Sequence, residues 1–396
     1  MHDFRIGRKV ISLLVVCVLC FPFIAYADIQ IILKNSFIEK FKNRATIDAS
    51  FTVDKAHAKP NPPAKDGDLH AAGRAPEIGL PAVAEVMNAQ FAQPALDLLH
   101  DSERTGQAVQ VRGIWRLWCE HGGDVVFNQF SPLQPFNTTN PPHVFEVHPL
   151  LKVGDQAIES SFKPIEGFTY KDAGQAFRSY ENLRSHIVPG PSETTITTTM
   201  AGFNYVEFAL QLNEDPTHTV EDGLTVLASV LDLQGDLLVH NRRMIFAAGT
   251  VPFETVKSLH KGDMMHVVGI PRIDLSLLSF RVANRTKTPG ILDWSLPYEM
   301  VIVADFGDTP ETEAPAASGA PGAPGAPAAS ATQPVAKPAS DVIESLARML
   351  DQRREGDVSA GACSFASGTT VFCAVLRKSE CDQLGGIWNA GKTCQP

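Results

Sequence analysis

Short runs rich in Val, Ile and aromatic residues, with partial alternation of apolar and polar positions, recur along this chain and predict strands more often than helices. In the first half they fall at residues 46–53, directly after Asp66-Gly67-Asp68, at 80–87, at 109–119 and at 144–153, with one helical stretch at 94–100. Five strands and one helix in about 110 residues fit a small closed barrel of the OB type. In the second half, strands are predicted at 224–231, 237–247, 264–270 and 277–282, with a brief helix or strand at 253–259 and Gly-Asp turns at 235–236 and 262–263. The rhythm repeats, and Val109-Gln110-Val111-Arg112-Gly113-Ile114 is comparable with Met265-His266-Val267-Val268-Gly269-Ile270, as a remote duplication would leave. The expected fold is mainly β: two small OB-like β-barrel domains, short helices and a disulfide-stabilised C-terminal mini-domain.

The pattern divides the chain into a signal peptide (1–27), a leading segment (28–45) that is amphipathic from Phe37 to Phe41, and a first barrel (46–155). A connecting region (156–194) with a helix and loop leads to the second barrel (195–290) and an extension (291–308). Residues 309–340 are rich in Ala, Pro and Gly and have nothing large to bury, so they read as a linker. The rest, 341–396, reads as a helix opened by Asp341 and a cysteine-bearing tail.

At the N-terminus, Arg5, Arg8 and Lys9 precede an apolar run from Val10 to Ala25, and Ala25-Tyr26-Ala27 supplies a small-x-small cleavage site. The run is shorter than the roughly 20 residues of a spanning helix, so no transmembrane span is expected after cleavage. An uncleaved anchor is the alternative. The location implied is periplasmic or extracellular. In an oxidising space, Cys363, Cys373, Cys381 and Cys394 are expected to form two disulfides, in one of three pairings, around Phe372 and Trp388. A zinc site is the rival, but no Cys-x-x-Cys pair supports it. Cys119, next to Trp118, reads as a buried thiol.

Composition changes this picture little: 44% of residues are hydrophobic and 20% charged, as in ordinary globular chains. The net charge of -10 makes duplex DNA binding unfavourable, because such binding needs many phosphate contacts. No Gly-x-Ser-x-Gly, His-Glu-x-x-His or phosphate-binding glycine loop is present.

The informative polar residues lie in the first barrel. Asp66, Asp68 and His70 alternate, as do Glu146 and His148, so each set shares a strand face. Glu85 stands in the apolar run Ala82-Val83-Ala84-Glu85-Val86-Met87, where a carboxylate needs a reason. Two chemistries fit. Asp68, His70, Glu85, Glu146 and His148 can converge on a divalent metal, which would activate water for hydrolysis. Alternatively, the acids fix the histidine tautomers as internal polar pairs, with no cofactor.

Asp66-Gly67-Asp68-Leu69-His70 and Val144-Phe145-Glu146-Val147-His148-Pro149 resemble the paired signatures of a family of secreted, uncharacterised bacterial proteins, over residues 46–155 only. That resemblance implies an intact domain and no particular chemistry. Asp66-Gly67-Asp68, Arg74 and Pro76-Glu77 are also similar to secreted thermonuclease-like proteins. This likeness implies a calcium ligand at Asp68, a phosphate clamp at Arg74 and an acidic motif at Glu77, although Leu69 stands where threonine is expected. The function expected from the barrels is ligand or partner binding, with a small ligand or an envelope protein as partner. The alternative is a metal-dependent hydrolase, with a phosphodiester among the candidate substrates. N-terminal sequencing of the exported protein should find Asp28 first; retained Met1 would overturn the cleaved-signal reading.

Overall fold

The computed structural model describes residues 29–123, 125–158, 161–284 and 295–307, and the backbone of 360–367, 370–377 and 387–390. The signal segment, the 309–340 linker and the helix expected after Asp341 lie outside the described residues.

Strand β1 (Ile29–Lys34) and helix α1 (Asn35–Phe41) come first, with Phe37, Ile38 and Phe41 turned into the core as the amphipathic pattern requires. The first barrel uses β2 (Thr46–Ala56), β3 (Leu69–Arg74), β4 (Ala82–Val86), helix α2 (Gln93–Thr105) and β5 (Val109–His121). After the short β6 (Val126–Asn128), β7 (His143–Val153) completes it. A connection of β8 (Gln156–Ala157), β9 (Lys171–Asp172), α3 (Ala173–Asn182), β10 (Ser185–Pro189) and β11 (Glu193–Thr198) follows. Strands β10, β11, β1 and β6 form a separate four-stranded sheet.

The second barrel contains β12 (Val206–Leu212), β13 (His218–Val220), β14 (Gly223–Leu231), β15 (Leu237–Ala247) and α4 (Val251–Val256). It ends with β16 (Met264–Ile273), α5 (Leu275–Ala283) and β17 (Tyr298–Asp305).

Both sheets close. In the first, β4-β3-β2-β5-β7 returns to β4 through a parallel β4–β7 pairing. In the second, β14-β15-β17-β16-β12 returns to β14, and β15–β17 is the parallel pair. Counted from its own first strand, each barrel therefore runs 1-2-3-5-4, with a helix between strands 3 and 4. The mainly-β expectation of two small barrels with short helices holds, and each barrel is closed and five-stranded. The segments compared as a possible duplication lie on β5 and β16, the fourth strand of each barrel. Gly113 and Gly269 hold the same place there. A Cβ at Gly113 would lie 2.6 Å from Val147 Cγ1, and one at Gly269 would lie 2.9 Å from Phe208.

Two expectations need correction. The strand predicted at 277–282 belongs to helix α5: Asp274 caps it by accepting from Leu277 N at 2.8 Å, and Leu275 and Leu278 share its buried side. The strand that closes the second barrel is β17 instead. Second, the disulfide-stabilised mini-domain is not observed. The tail strands β18 (Ala360–Ser367), β19 (Thr370–Arg377) and β20 (Ile387–Ala390) form a three-stranded antiparallel sheet, and no disulfide is present among the described residues. Cys363 lies opposite Ala374 and Cys373 opposite Ser364, so register does not bring these two cysteines together. Backbone pairing, not a covalent staple, organises the described tail; Cys381 and Cys394 lie outside it. Cys119 is free and buried, with burial raising its thiol pKa to about 12. No helix among the described residues is long and apolar enough to cross a membrane.

The barrels meet through a reciprocal joint. Arg116 on β5 lies opposite Glu146 on β7, and Arg272 on β16 lies opposite Glu299 on β17. All four are buried, and each arginine pairs with its glutamate. Each arginine then crosses to the other barrel. Arg116 Nε donates to Pro271 O at 3.0 Å, and Arg272 Nη1 donates to Trp115 O at 3.0 Å and to Ala45 O at 3.1 Å. The Arg272 guanidinium also stacks 3.6 Å from the Trp115 ring centroid. Mutual exchange of equivalent contacts is the pattern of an isologous interface. Arg272→Ala should lower unfolding free energy by about 3–5 kcal/mol in urea titrations, because Glu299 and the carbonyls lose their buried partner. Arg272→Lys should recover little, since a point charge lacks the planar fork. A loss below about 1 kcal/mol, as for an exposed pair, would show the joint to be dispensable.

Candidate metal centre

Strands β3, β4, β5 and β7 use alternate positions to fill the barrel interior with Leu69, Ala71, Ala82, Ala84, Val86, Leu117, Phe145 and Val147. The intervening positions face outward, and there the second barrel covers them. This is why Glu85, Glu146 and His148 are buried although they lie outside the barrel core. Asp68, just before β3, is buried as well, and His70 is partly open to solvent. The five residues predicted from the sequence therefore belong to one continuous cluster. Asp68, His70 and Glu85 each offer a ligand atom within 4.8 Å of the others, and so do Glu85, Glu146 and His148.

His148 sits at the centre. Its Nδ1 lies 3.2 Å from both Glu85 Oε2 and Glu146 Oε2, and its Nε2 lies 2.7 Å from Tyr205 Oη. Tyr205 belongs to the chain just before β12 and donates to Asp68 Oδ2 at 2.7 Å. The second barrel thus contributes a phenol to the cluster. Tyr205 and its neighbour Phe203 both hold positive φ, 50° and 69°, strained backbone for non-glycine residues. On the far side, Arg116 pairs with Glu146 and Glu120.

Electrostatics divides the carboxylates. Burial pushes Glu85 up to about 8 and raises Asp68. Burial alone would raise Glu146 too, but Arg116, His143 and His148 hold it well below the usual carboxylate range. Burial would lower His148, yet Glu85, Asp68 and Glu146 raise it well above the usual imidazole value. Burial lowers His70, favouring its neutral, ligand-competent form.

Two atoms of this cluster are buried without a hydrogen-bond partner, Asp68 Oδ1 and His70 Nδ1. The equivalent aspartate of the second barrel shows the contrast. Asp222, just before β14, accepts from Ala45 N at 2.6 Å, Thr46 N at 2.8 Å and the Thr46 hydroxyl. The fold can therefore satisfy an aspartate at this point of a barrel, and Asp68 is left half-satisfied.

Sequence reading missed Arg116, Tyr205 and His143. Arg116 carried the same signal as Glu85, a charge inside the apolar run Ile114-Trp115-Arg116-Leu117-Trp118. Tyr205 carried none, because only the packing of the barrels brings it in. The nuclease-like residues are not assembled here. Arg74, at the other end of β3, is held by Asp54 with Nη2–Oδ1 at 2.7 Å, and Glu77 accepts from Ser50 N at 3.2 Å. The chain matches no known protein-family model and no curated protein.

Glu85 and His148 set the pH response of the metal-free protein. Each pKa is higher folded than unfolded, so each destabilises the fold as pH rises: Glu85 from its ordinary 4.5 through about 8, and His148 from 6.5 upward. Glu146 acts on the other limb, losing its contribution as pH falls below 4.5. The melting temperature of chelator-treated protein should therefore fall between about pH 6 and pH 9. Glu85→Gln should flatten that fall; an unchanged slope would remove Glu85 from the account.

Proposed function

We propose that this protein binds a divalent cation at Asp68, His70 and Glu85 and is a metal-dependent hydrolase rather than a passive binding module. The observation that carries the reading is the convergence of Asp68, His70 and Glu85, which offer ligand atoms within 4.8 Å of one another while Asp68 Oδ1 is buried and unbonded. Two carboxylate oxygens and one imidazole nitrogen suit Mn²⁺, Zn²⁺ or a similar ion and leave positions for water. A divalent ion there would lower the pKa of such a water and polarise a substrate oxygen.

The chain's own residues support this assignment. His148 and Tyr205 hold Asp68 through its Oδ2 and leave Oδ1 directed away from that bond. His70 is the ligand nearest solvent, and its ring stacks on His57 with centroids 4.8 Å apart, which fixes the imidazole plane. A substrate therefore has to approach from the His57–His70 edge, since Tyr205 and the second barrel close the opposite side. The engagement of Arg74 with Asp54 keeps its guanidinium from clamping a phosphate, which favours ester or amide bonds over a phosphodiester.

The test is Mn²⁺ titration of the chelator-treated full chain by calorimetry, followed by ion-dependent turnover of chromogenic esters, amides and phosphodiesters. Asp68→Asn should weaken Mn²⁺ binding by at least about 100-fold, since even outer-shell changes cost 10–100-fold. Added Mn²⁺ should also raise the melting temperature most at alkaline pH, where Glu85 is charged. Mn²⁺ binding that is absent, or unchanged in Asp68→Asn, would overturn the metal assignment. Binding with no ion-dependent turnover of any substrate class would overturn the hydrolase.

A further inference from the structure

A second group of side chains lies at the opposite edge of the same face. His121 ends β5, His143 begins β7, and the two are register partners. Their rings stack with centroids 4.8 Å apart and 22° between planes. With Glu146, they offer three ligand atoms within 4.8 Å of one another.

Hydrogen bonding fixes what these rings present. His143 Nδ1 lies 2.7 Å from Pro141 O, and a carbonyl can only accept, so Nδ1 carries the hydrogen. His143 Nε2 then faces Glu146 Oε1 at 3.3 Å. In the metal-free chain a proton on Nε2 bridges the two atoms, and a divalent cation bound there would take that proton's place. Glu146 is oriented for this role, because its other oxygen, Oε2, is held by Arg116 and His148. A ligating histidine usually donates its remaining N–H to a carbonyl, and a ligating carboxylate is usually held from behind; both supports are present. His121 is only half-buried and makes no hydrogen bond among the described residues, so its imidazole is open to an ion arriving from solvent.

From this geometry we infer a second divalent-cation site at His121, His143 and Glu146, of a character different from the first. Two imidazoles and one carboxylate select a borderline ion such as Zn²⁺ or Co²⁺ and leave at least one position for water or a small ligand. The oxygen-richer group at Asp68 and Glu85 suits Mn²⁺ better. The second site does not depend on the proposed function, because it shares none of Asp68, His70 and Glu85.

Co²⁺ titration of the chelator-treated full chain, read by its visible ligand-field absorption, tests the site. An intense low-coordinate Co²⁺ band is expected, displaced by Zn²⁺. His121→Ala, which alters a half-exposed residue, should weaken Co²⁺ binding by at least about 100-fold and remove the band. His143→Gln should do the same. Circular dichroism and Mn²⁺ calorimetry should remain as in the wild type for His121→Ala. In Asp68→Asn the Co²⁺ band should persist while Mn²⁺ binding is lost, so failure of either site is distinguishable from failure of the other. Absence of the band in the wild type, or its survival in folded His121→Ala, would overturn the second site.

Discussion

Everything in this structure turns on two buried arginines, Arg116 and Arg272, each of which is satisfied only when the other barrel is present. Within its own barrel, each has a glutamate partner on the adjacent strand. Arg116 Nη2 is taken by Glu120 on its own strand, and the remaining donors point outward and are met by carbonyls of Pro271, Trp115, Ala45 and Arg44. Separating the barrels would expose or strand these donors, along with the apolar patch that joins Ile114, Ala45 and Met87 to Ile270, Ile245 and Val301. The desolvation of an ion pair is offset only when its remaining lone pairs and protons are bonded. The joint therefore fixes the spacing of the barrels closely, and that spacing brings Tyr205 to Asp68 and seals Glu85 and His148 from water. The site's electrostatics is a consequence of the joint: the second barrel's surface is the low-dielectric wall that raises the Glu85 pKa.

Much of this was legible in the sequence, for local reasons. Period-two runs marked β2, β4, β5 and β7, and Glu85 stood out because an apolar strand rarely carries a carboxylate. Alternation placed Glu146 and His148 on one face. What the residues could not convey was which surfaces meet. Glu85 and Glu146 sit on strands paired only by barrel closure, and Tyr205 is remote in the chain from Asp68. Local signals also misled. The short apolar run Leu275 to Val282 suits either a strand or a helix, and the deciding feature was the Asp274 cap. Counting cysteines in a tail expected to be exported favoured staples, whereas the strands there are organised by backbone register. Arg116 was overlooked although it obeyed the rule that singled out Glu85. A cation between two tryptophans in a strand is as informative as an anion between alanines and valines.

The second barrel acts as an internal comparison for the first. Glu299 occupies the place of Glu146, each opposite its buried arginine. Two residues further along the fifth strand, His148 corresponds to Val301; on the parallel third strand, Glu85 corresponds to Ile245, which pairs with Val301. Ile245 and Val301 pack in the apolar cluster between the barrels. One copy of this architecture therefore closes, docks and holds its arginine with isoleucine and valine at these two positions. The joint rests on the Arg–Glu pair, and the fold can satisfy an aspartate before the second strand, as Asp222 shows. It does not require a histidine and a further carboxylate beside them. Burying Glu85 and leaving Asp68 Oδ1 unbonded costs stability relative to the apolar solution used by the sister barrel. Charge placed against that cost, at these positions of one barrel only and with ligand atoms converging, fits the proposed cation site better than a role in holding the barrels together.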